Sequence, residues 1–180
     1  MVNVINTTGF VAIGLCNPKS PSNVGAVMRA AGCFGASAIY YSGERFERAT
    51  KYHQDTHKVK QKIPLTAVKS FTEIDEIAGI NEKPHKLVCV ELVEGAIPLP
   101  EFTHPENALY VFGPEDGSIT QSLVEAADMV VYIPTTDCLN LAATVNVLLY
   151  DRMAKQKLNI DHDALIKNSR DINNQLVINR

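Results

Sequence analysis

From Val130 to Arg152 the chain reads V-V-Y-I-P-T-T-D-C-L-N-L-A-A-T-V-N-V-L-L-Y-D-R: a β-branched and aromatic run, a short polar loop, then a long, mostly apolar segment starting on Leu-Asn-Leu. A buried strand that feeds straight into an apolar helix restricts the fold, because both elements need a covering layer. The rest of the chain repeats the alternation. Phe10 to Leu15 and Ala38 to Tyr41 are short apolar runs bracketing a small-residue helix from Asn23 to Phe34, with Ser22 or Asn23 offering the capping oxygen. Leu87 to Leu92, Leu109 to Phe112 and Val130 to Ile133 have strand character, and a helix from about Ile119 to Ala127 separates the last two. This pattern predicts an α/β fold built on a mainly parallel sheet with helices on both faces. Shorter helices are expected between Thr72 and Gly79, before Pro84, and around His162 to Lys167.

A length of 180 residues suits one such domain, residues 1–156, followed by a polar tail, 157–180. No apolar run approaches the roughly 20 residues of a membrane span. The N-terminus carries no early Lys or Arg and no apolar run ending in a small-residue cleavage site, so the expectation is a cytoplasmic protein without a membrane partner. Cys16, Cys33, Cys89 and Cys138 lack Cys-x-x-Cys spacing and are expected to be reduced, mostly buried thiols. His53, His57, His85, His104 and His162 show no metal-ligand spacing, and no metal is expected.

A net charge of −3 argues against a protein that coats nucleic acid, but the charge is unevenly spread. Between Arg45 and Lys69 lie seven basic residues, Arg45, Arg48, Lys51, Lys58, Lys60, Lys62 and Lys69, against Glu47 and Asp55, with Tyr52, His53 and His57 among them. The segment is either a solvated loop or a contact surface for RNA phosphates, and Arg45, Arg48, Lys51, Lys58, Lys60 and Lys62 are the RNA-binding candidates.

Three motifs fall where strands run into helices, the place where open parallel sheets bind ligands. In N-P-K-S-P-S-N-V-G-A-V-M-R-A-A, Asn17 to Ala31, a Pro-rich loop leads to Asn23 at the cap and to Gly25, which permits close approach of a backbone or ligand. Arg29 follows one turn later on the same face, as a functional group, a snorkelling surface residue or an ion-pair partner. F-G-P-E-D-G-S-I, Phe112 to Ile119, sets Gly113-Pro114 at a strand end and Glu115-Asp116-Gly117 at a helix start, which a turn and a negatively biased helix start would also select. In the third motif Asn140 and Asn146 interrupt an apolar helix, where buried amides are costly unless bonded, while Leu141, Val145, Leu148 and Leu149 read as core. No G-x-G-x-x-G dinucleotide fingerprint is present.

In this order the three segments resemble the signature motifs of the SpoU branch of SPOUT RNA methyltransferases, over roughly Phe10 to Arg152. The resemblance implies a SPOUT-type fold with a C-terminal trefoil knot, S-adenosylmethionine as cofactor, and methylation of a ribose 2′-hydroxyl in tRNA or rRNA. It also implies a homodimer in which Arg29 of one subunit completes the pocket of the other. Carried over by motif, the catalytic candidates are Arg29, Asn23, Glu115 and Asn140. Leu92, Gly113, Ile133, Cys138 and Leu139 are the cofactor-binding candidates. Arginine is a poor base, so Arg29 is expected to position phosphate and stabilise the developing alkoxide.

Two departures stand out. Cys138 occupies a position where the family commonly has Ser, and the loop from Ile133 to Cys138 is short. They keep two alternatives open: a non-catalytic RNA-binding protein on the same scaffold, or base methylation through a Cys138 thiolate. No Arg, Lys or His adjacent in sequence would activate that thiol.

Overall fold

The structure, a computed structural model, describes residues 9–52, 63–74, 85–156 and 160–178. Seven strands form one sheet: β1 (Val11–Leu15), β2 (Ala38–Tyr41), β3 (Leu65–Ala67), β4 (Lys86–Val90), β5 (Ile97–Pro98), β6 (Ala108–Phe112) and β7 (Met129–Tyr132). Their order is β3-β2-β1-β6-β4-β7-β5, and every pairing is parallel. The α-helices among the described residues are α1 (Pro21–Cys33), α2 (Arg45–Tyr52), α3 (Gln121–Ala126), α4 (Leu141–Lys155) and α5 (His162–Ser169).

The period of two along the central strands explains the two-sided core. Val11, Ile13 and Leu15 of β1, Tyr110 and Phe112 of β6, and Val88 and Val90 of β4 point to one face, where they meet Val24 and Val27 of α1 and Leu141, Val145, Leu148 and Leu149 of α4. Ala12, Leu109, Val111, Leu87 and Cys89 point to the other, against Phe71, Ile74 and Ile119, with Leu123 and Val124 of α3 packed on. Each fully buried aliphatic side chain contributes about 1.5–3 kcal/mol relative to exposure. Gly14 belongs to the second face, and a Cβ there would lie 2.9 Å from both Phe71 Cε1 and Val111 Cγ2, so the ring of Phe71 fills the place of its side chain.

The sheet is wholly parallel, with layers on both faces as the alternation predicts, and the expected strands and main helices form within one or two residues of the expected ends. Several local expectations are corrected. Ser20 caps α1, its hydroxyl accepting the Asn23 amide at 3.3 Å, because Pro21 needs no donor at the first helical position and draws the start forward. Part of the basic segment is helical, as α2. Cys33 and Cys138 are exposed, Cys16 is half-buried and only Cys89 is buried. The helix expected between Thr72 and Gly79 falls largely outside the described residues. The tail helix α5, capped by Asp161, buries no residue. No described helix is long and apolar enough to cross a membrane.

At the end of α4 a polar cluster fastens the segment between β5 and β6. Arg152, only 3% exposed, donates to Pro105 O, to Glu106 O at 2.7 Å and to the Tyr110 hydroxyl at 2.9 Å. Lys155 Nζ donates to Leu99 O and Phe102 O. His104 bridges Tyr110 Oη (2.8 Å) and Asp151 Oδ2 (2.9 Å). The roles along this chain of bonds are consistent if Tyr110 accepts from Arg152 and donates to His104 Nδ1, leaving Nε2–H for Asp151, while the buried Arg152 Nε–H stays without a partner among the described residues.

Candidate active site

The loops leaving the carboxyl ends of β4, β6 and β7, together with the start of α4, enclose a cavity of about 300 Å³. It lies where ligands are held in open parallel sheets. The insertion of β6 between β1 and β4 brings segments distant in sequence to one edge. Leu92, Gly113, Ile133, Cys138 and Leu139, all five cofactor candidates, line the cavity. So do Asn23, Glu115 and Asn140 of the catalytic set. Arg29 does not.

Glu115 organises the mouth. From the turn after β6 it reaches the start of α1, where Oε2 accepts Lys19 N at 2.8 Å and Oε1 accepts Ser20 N at 3.1 Å and Asn23 Nδ2 at 3.0 Å. Burial acts to raise its pKa, but the bonds from Asn23, Lys19 and Ser20 outweigh it and hold the carboxyl below its ordinary value. Its role corrects the expected helix start. Residues 115–117 form a turn, and α3 begins only after Thr120, so Glu115 serves the N-terminus of α1. The neighbouring Asp116 faces α2, where Arg45 grips it with both terminal nitrogens at 2.8 and 3.0 Å and Lys19 Nζ lies 3.4 Å away. The Arg45 hydrogen bonds hold the Asp116 pKa below its ordinary value.

The first motif is shaped around this junction. Asn17 has φ +40°, a left-handed conformation that Asn tolerates, and its Oδ1 accepts Arg45 N at 3.4 Å. Gly43 (φ +77°) packs so close that a Cβ there would overlap the Asn17 side chain.

Asn140 and Asn146 are not buried amides. Asn140 is exposed and caps α4, its Oδ1 accepting Ala143 N at 2.7 Å. Asn146 is exposed and donates to Ala142 O at 2.8 Å. An amide at a helix start satisfies an orphan donor, whereas the sequence pattern alone suggested an interruption of the core. The exposed Cys138 donates its backbone N–H to Asp137 Oδ1 at 2.7 Å, and the cavity lining contains no Lys, Arg or His.

Arg29 is exposed on α1 and has no hydrogen bond or ion pair among the described residues. Gly25, on the same exposed face, would meet nothing within 4 Å if it carried a Cβ. Of the RNA-binding candidates, Arg45 is committed to Asp116 and the exposed Arg48 pairs with Glu44. Lys51 is described through its backbone only, and Lys58, Lys60 and Lys62 lie outside the described residues. Among the described residues no group of three His, Cys, Asp or Glu could hold a metal ion.

Sequence reasoning passed over Glu91, which lines the cavity just beyond β4. Its signal was present: an acid directly after the apolar run L-V-C-V occupies the ligand edge of a parallel strand. The Asp116–Arg45 pair left no such signal, because the partners are far apart in sequence.

A parallel sheet with a cavity over its carboxyl edge, lined by residues of three loop motifs, defines an α/β domain of the ligand-binding kind. The chain belongs to the SpoU rRNA Methylase family, whose model matches residues 11–150. The SpoU methyltransferase AviRb from Streptomyces viridochromogenes, solved with AdoMet, is similar in fold (TM-score 0.66, 20% identity, covering 84% of this chain and 59% of AviRb). So are the TrmH/SpoU tRNA modifying enzyme of A. aeolicus (0.64, 16%, 84% and 77%) and a protein described as an RNA 2′-O ribose methyltransferase (0.62, 24%, 85% and 58%). Comparison with curated protein sequences finds no match.

Proposed function

We propose that the protein transfers a methyl group from S-adenosylmethionine to a ribose 2′-hydroxyl of tRNA or rRNA. The observation that carries this reading is the convergence of Asn23, Gly113, Glu115, Ile133, Cys138, Leu139 and Asn140, from three separate motifs, on one cavity. Family membership and the AdoMet complex of AviRb support the same cofactor.

The residues fit that group. A Cβ on Gly113 would stand 2.8 Å from Glu91 Oε2 and 3.4 Å from Ile119 N, so only glycine leaves this part of the cavity bare. Leu92, Ile133, Leu139 and Leu141 offer an apolar bed, and a lining with Glu91 and Glu115 but no basic residue suits a cation. The cofactor supplies an electrophilic methyl; the chain must orient the acceptor oxygen and stabilise its developing charge. Leu92, Gly113, Ile133, Cys138 and Leu139 hold the cofactor. Glu115 fixes the loop that carries Asn23, and Asn140 holds the start of α4 against the cavity. Arg29, without a partner among the described residues and outside the cavity, serves a second copy: the active unit is a homodimer in which the open face around Gly25 meets the other chain. The trefoil knot that the resemblance implies belongs to the same reading. The location is cytoplasmic, in keeping with four unpaired cysteines.

Incubation with labelled S-adenosylmethionine and total RNA, followed by alkaline hydrolysis and nucleoside analysis, tests the reaction. Label is expected in alkali-resistant dinucleotides, since a methylated 2′-oxygen cannot attack its phosphate. Recovery only in a methylated base would support Cys138 chemistry, and a protein that binds RNA without transfer would be a scaffold.

RNA affinity is assigned to the basic segment, through Arg45, Arg48, Lys51, Lys58, Lys60 and Lys62. Neutralising Lys58, Lys60 and Lys62 together should flatten the salt dependence of RNA binding by roughly one unit of log-log slope per lost phosphate contact. An unchanged slope in a filter-binding titration would return the segment to a solvated surface.

A further inference from the structure

Glu91 has so far been counted only for its charge in the lining, yet its side chain is placed there by specific bonds. Its backbone N–H donates to Val131 O at 3.0 Å, tying the residue to β7 beyond the last β4 pair. Its side chain is fixed at both oxygens: Oε1 accepts Leu92 N at 3.0 Å and Oε2 accepts Ile119 N at 3.0 Å. These bonds join the loop after β4 to the far end of the second motif, and Gly113 lies directly beneath Oε2. The charge is felt nearby. Burial, with the Glu91 charge adding to it, pushes the Cys89 thiol up to about 11; the Cys16 thiol, raised by burial, Cys89 and Glu91, reaches about 12.

A carboxylate has about four acceptor positions, and two backbone donors leave roughly one on each oxygen. Two adjacent acceptors on a rigid group match two adjacent hydroxyl donors. In open parallel sheets an acid near a strand end commonly holds a ribose through such hydroxyls. Glu115, the other carboxylate of the lining, already accepts three bonds from the α1 loop and is less available.

We propose that Glu91 receives the vicinal ribose hydroxyls of the adenosyl group, making it a specificity-determining residue for ribose over deoxyribose. The assignment rests on S-adenosylmethionine as the cofactor. Its consequence is that the enzyme distinguishes adenosyl ligands by sugar through one carboxylate, while the apolar bed of Leu92, Ile133 and Leu139 grips the rest of the ligand without regard to the sugar.

Calorimetric titration of S-adenosylhomocysteine and its 2′-deoxyribose analogue into the full chain tests this, using the wild type, Glu91→Gln and Glu91→Ala, with circular dichroism to verify folding. The wild type should bind the ribose ligand about tenfold or more tighter than the deoxy analogue, the scale of one hydrogen bond to a charged group. Glu91→Ala should bring the two affinities within about twofold, and Glu91→Gln should fall between. If Glu91→Ala does not fold, Glu91→Gln carries the test through a preference reduced at least threefold. A merely structural role would weaken both ligands equally and preserve their ratio, which would overturn the assignment. So would a variant that alters discrimination between S-adenosylmethionine and S-adenosylhomocysteine while keeping the ribose preference, since Glu91 would then answer to the sulfonium charge. Failure of the wild type to bind either ligand would instead sink the cofactor reading, and the Glu91 assignment with it.

Discussion

Arg152→Ala should lower the unfolding free energy by about 3–5 kcal/mol, the cost of removing one partner from a buried charged network. In urea titration this appears as a fall in midpoint at unchanged slope, and on heating as a drop in Tm on the order of 10 °C. The guanidinium satisfies Pro105 O, Glu106 O and the Tyr110 hydroxyl together, so its loss strands three acceptors beneath α4. Arg152→Lys should rescue only part of this, because one ammonium lacks the planar fork. A loss under about 1 kcal/mol would mean that water replaces the guanidinium and the segment is not fastened there. His104 gives the cluster a pH dependence of known sign. Burial lowers its pKa below the ordinary 6.5 against the opposing pull of Asp151, so the folded state disfavours the proton relative to the unfolded chain. This contribution is fully present above about pH 6.5 and declines as the pH falls below it. Repeating the titration at pH 7.5 and 5.5 should show a smaller decline in a variant with His104 replaced by Gln.

Arg29→Ala is expected to abolish methyl transfer, with a loss of at least about a thousandfold in turnover, while the Kd for S-adenosylhomocysteine stays within roughly threefold. The split follows from position: Arg29 is exposed on α1 and lines no part of the cavity of its own chain. Mixing this variant with Gly113→Val, whose added side chain would collide with Glu91, should restore activity, because a mixed dimer keeps one intact pocket served by the other chain's Arg29. Near-normal turnover by Arg29→Ala would make the residue structural. Failure of the mixture alone would confine the site to one chain.

The central strands were legible because V-A-I-G-L, A-I-Y-Y and A-L-Y-V-F are short, wholly buried runs bounded by turn residues. β3 and β5, three and two residues long, carry too little pattern to register, although their shortness blunts the sheet edges. The insertion of β6 between β1 and β4 is a non-local choice with no periodic signature. At the site, motif order identified the residues that meet, but the work each one does was less accessible. Glu115 and Asp116 look alike in sequence; one clamps the α1 loop and the other grips α2, because the turn after Gly113 sends their side chains to different neighbours. Asn140 looked like a polar fault in a core helix until the helix start fell immediately after it. Of the catalytic and cofactor candidates only Arg29 lies outside the cavity lining, on the exposed face of α1, and sequence spacing left it open between a functional and a surface residue.

The central claim is that the adenosyl cofactor sits over the carboxyl edges of β4, β6 and β7. Hydrogen–deuterium exchange with and without S-adenosylhomocysteine measures this directly. Protection should rise in residues 91–93, 113–119 and 133–141, with the segment 99–106 at the opposite end of α4 unchanged. Protection centred elsewhere, or none at a saturating ligand concentration, would contradict it.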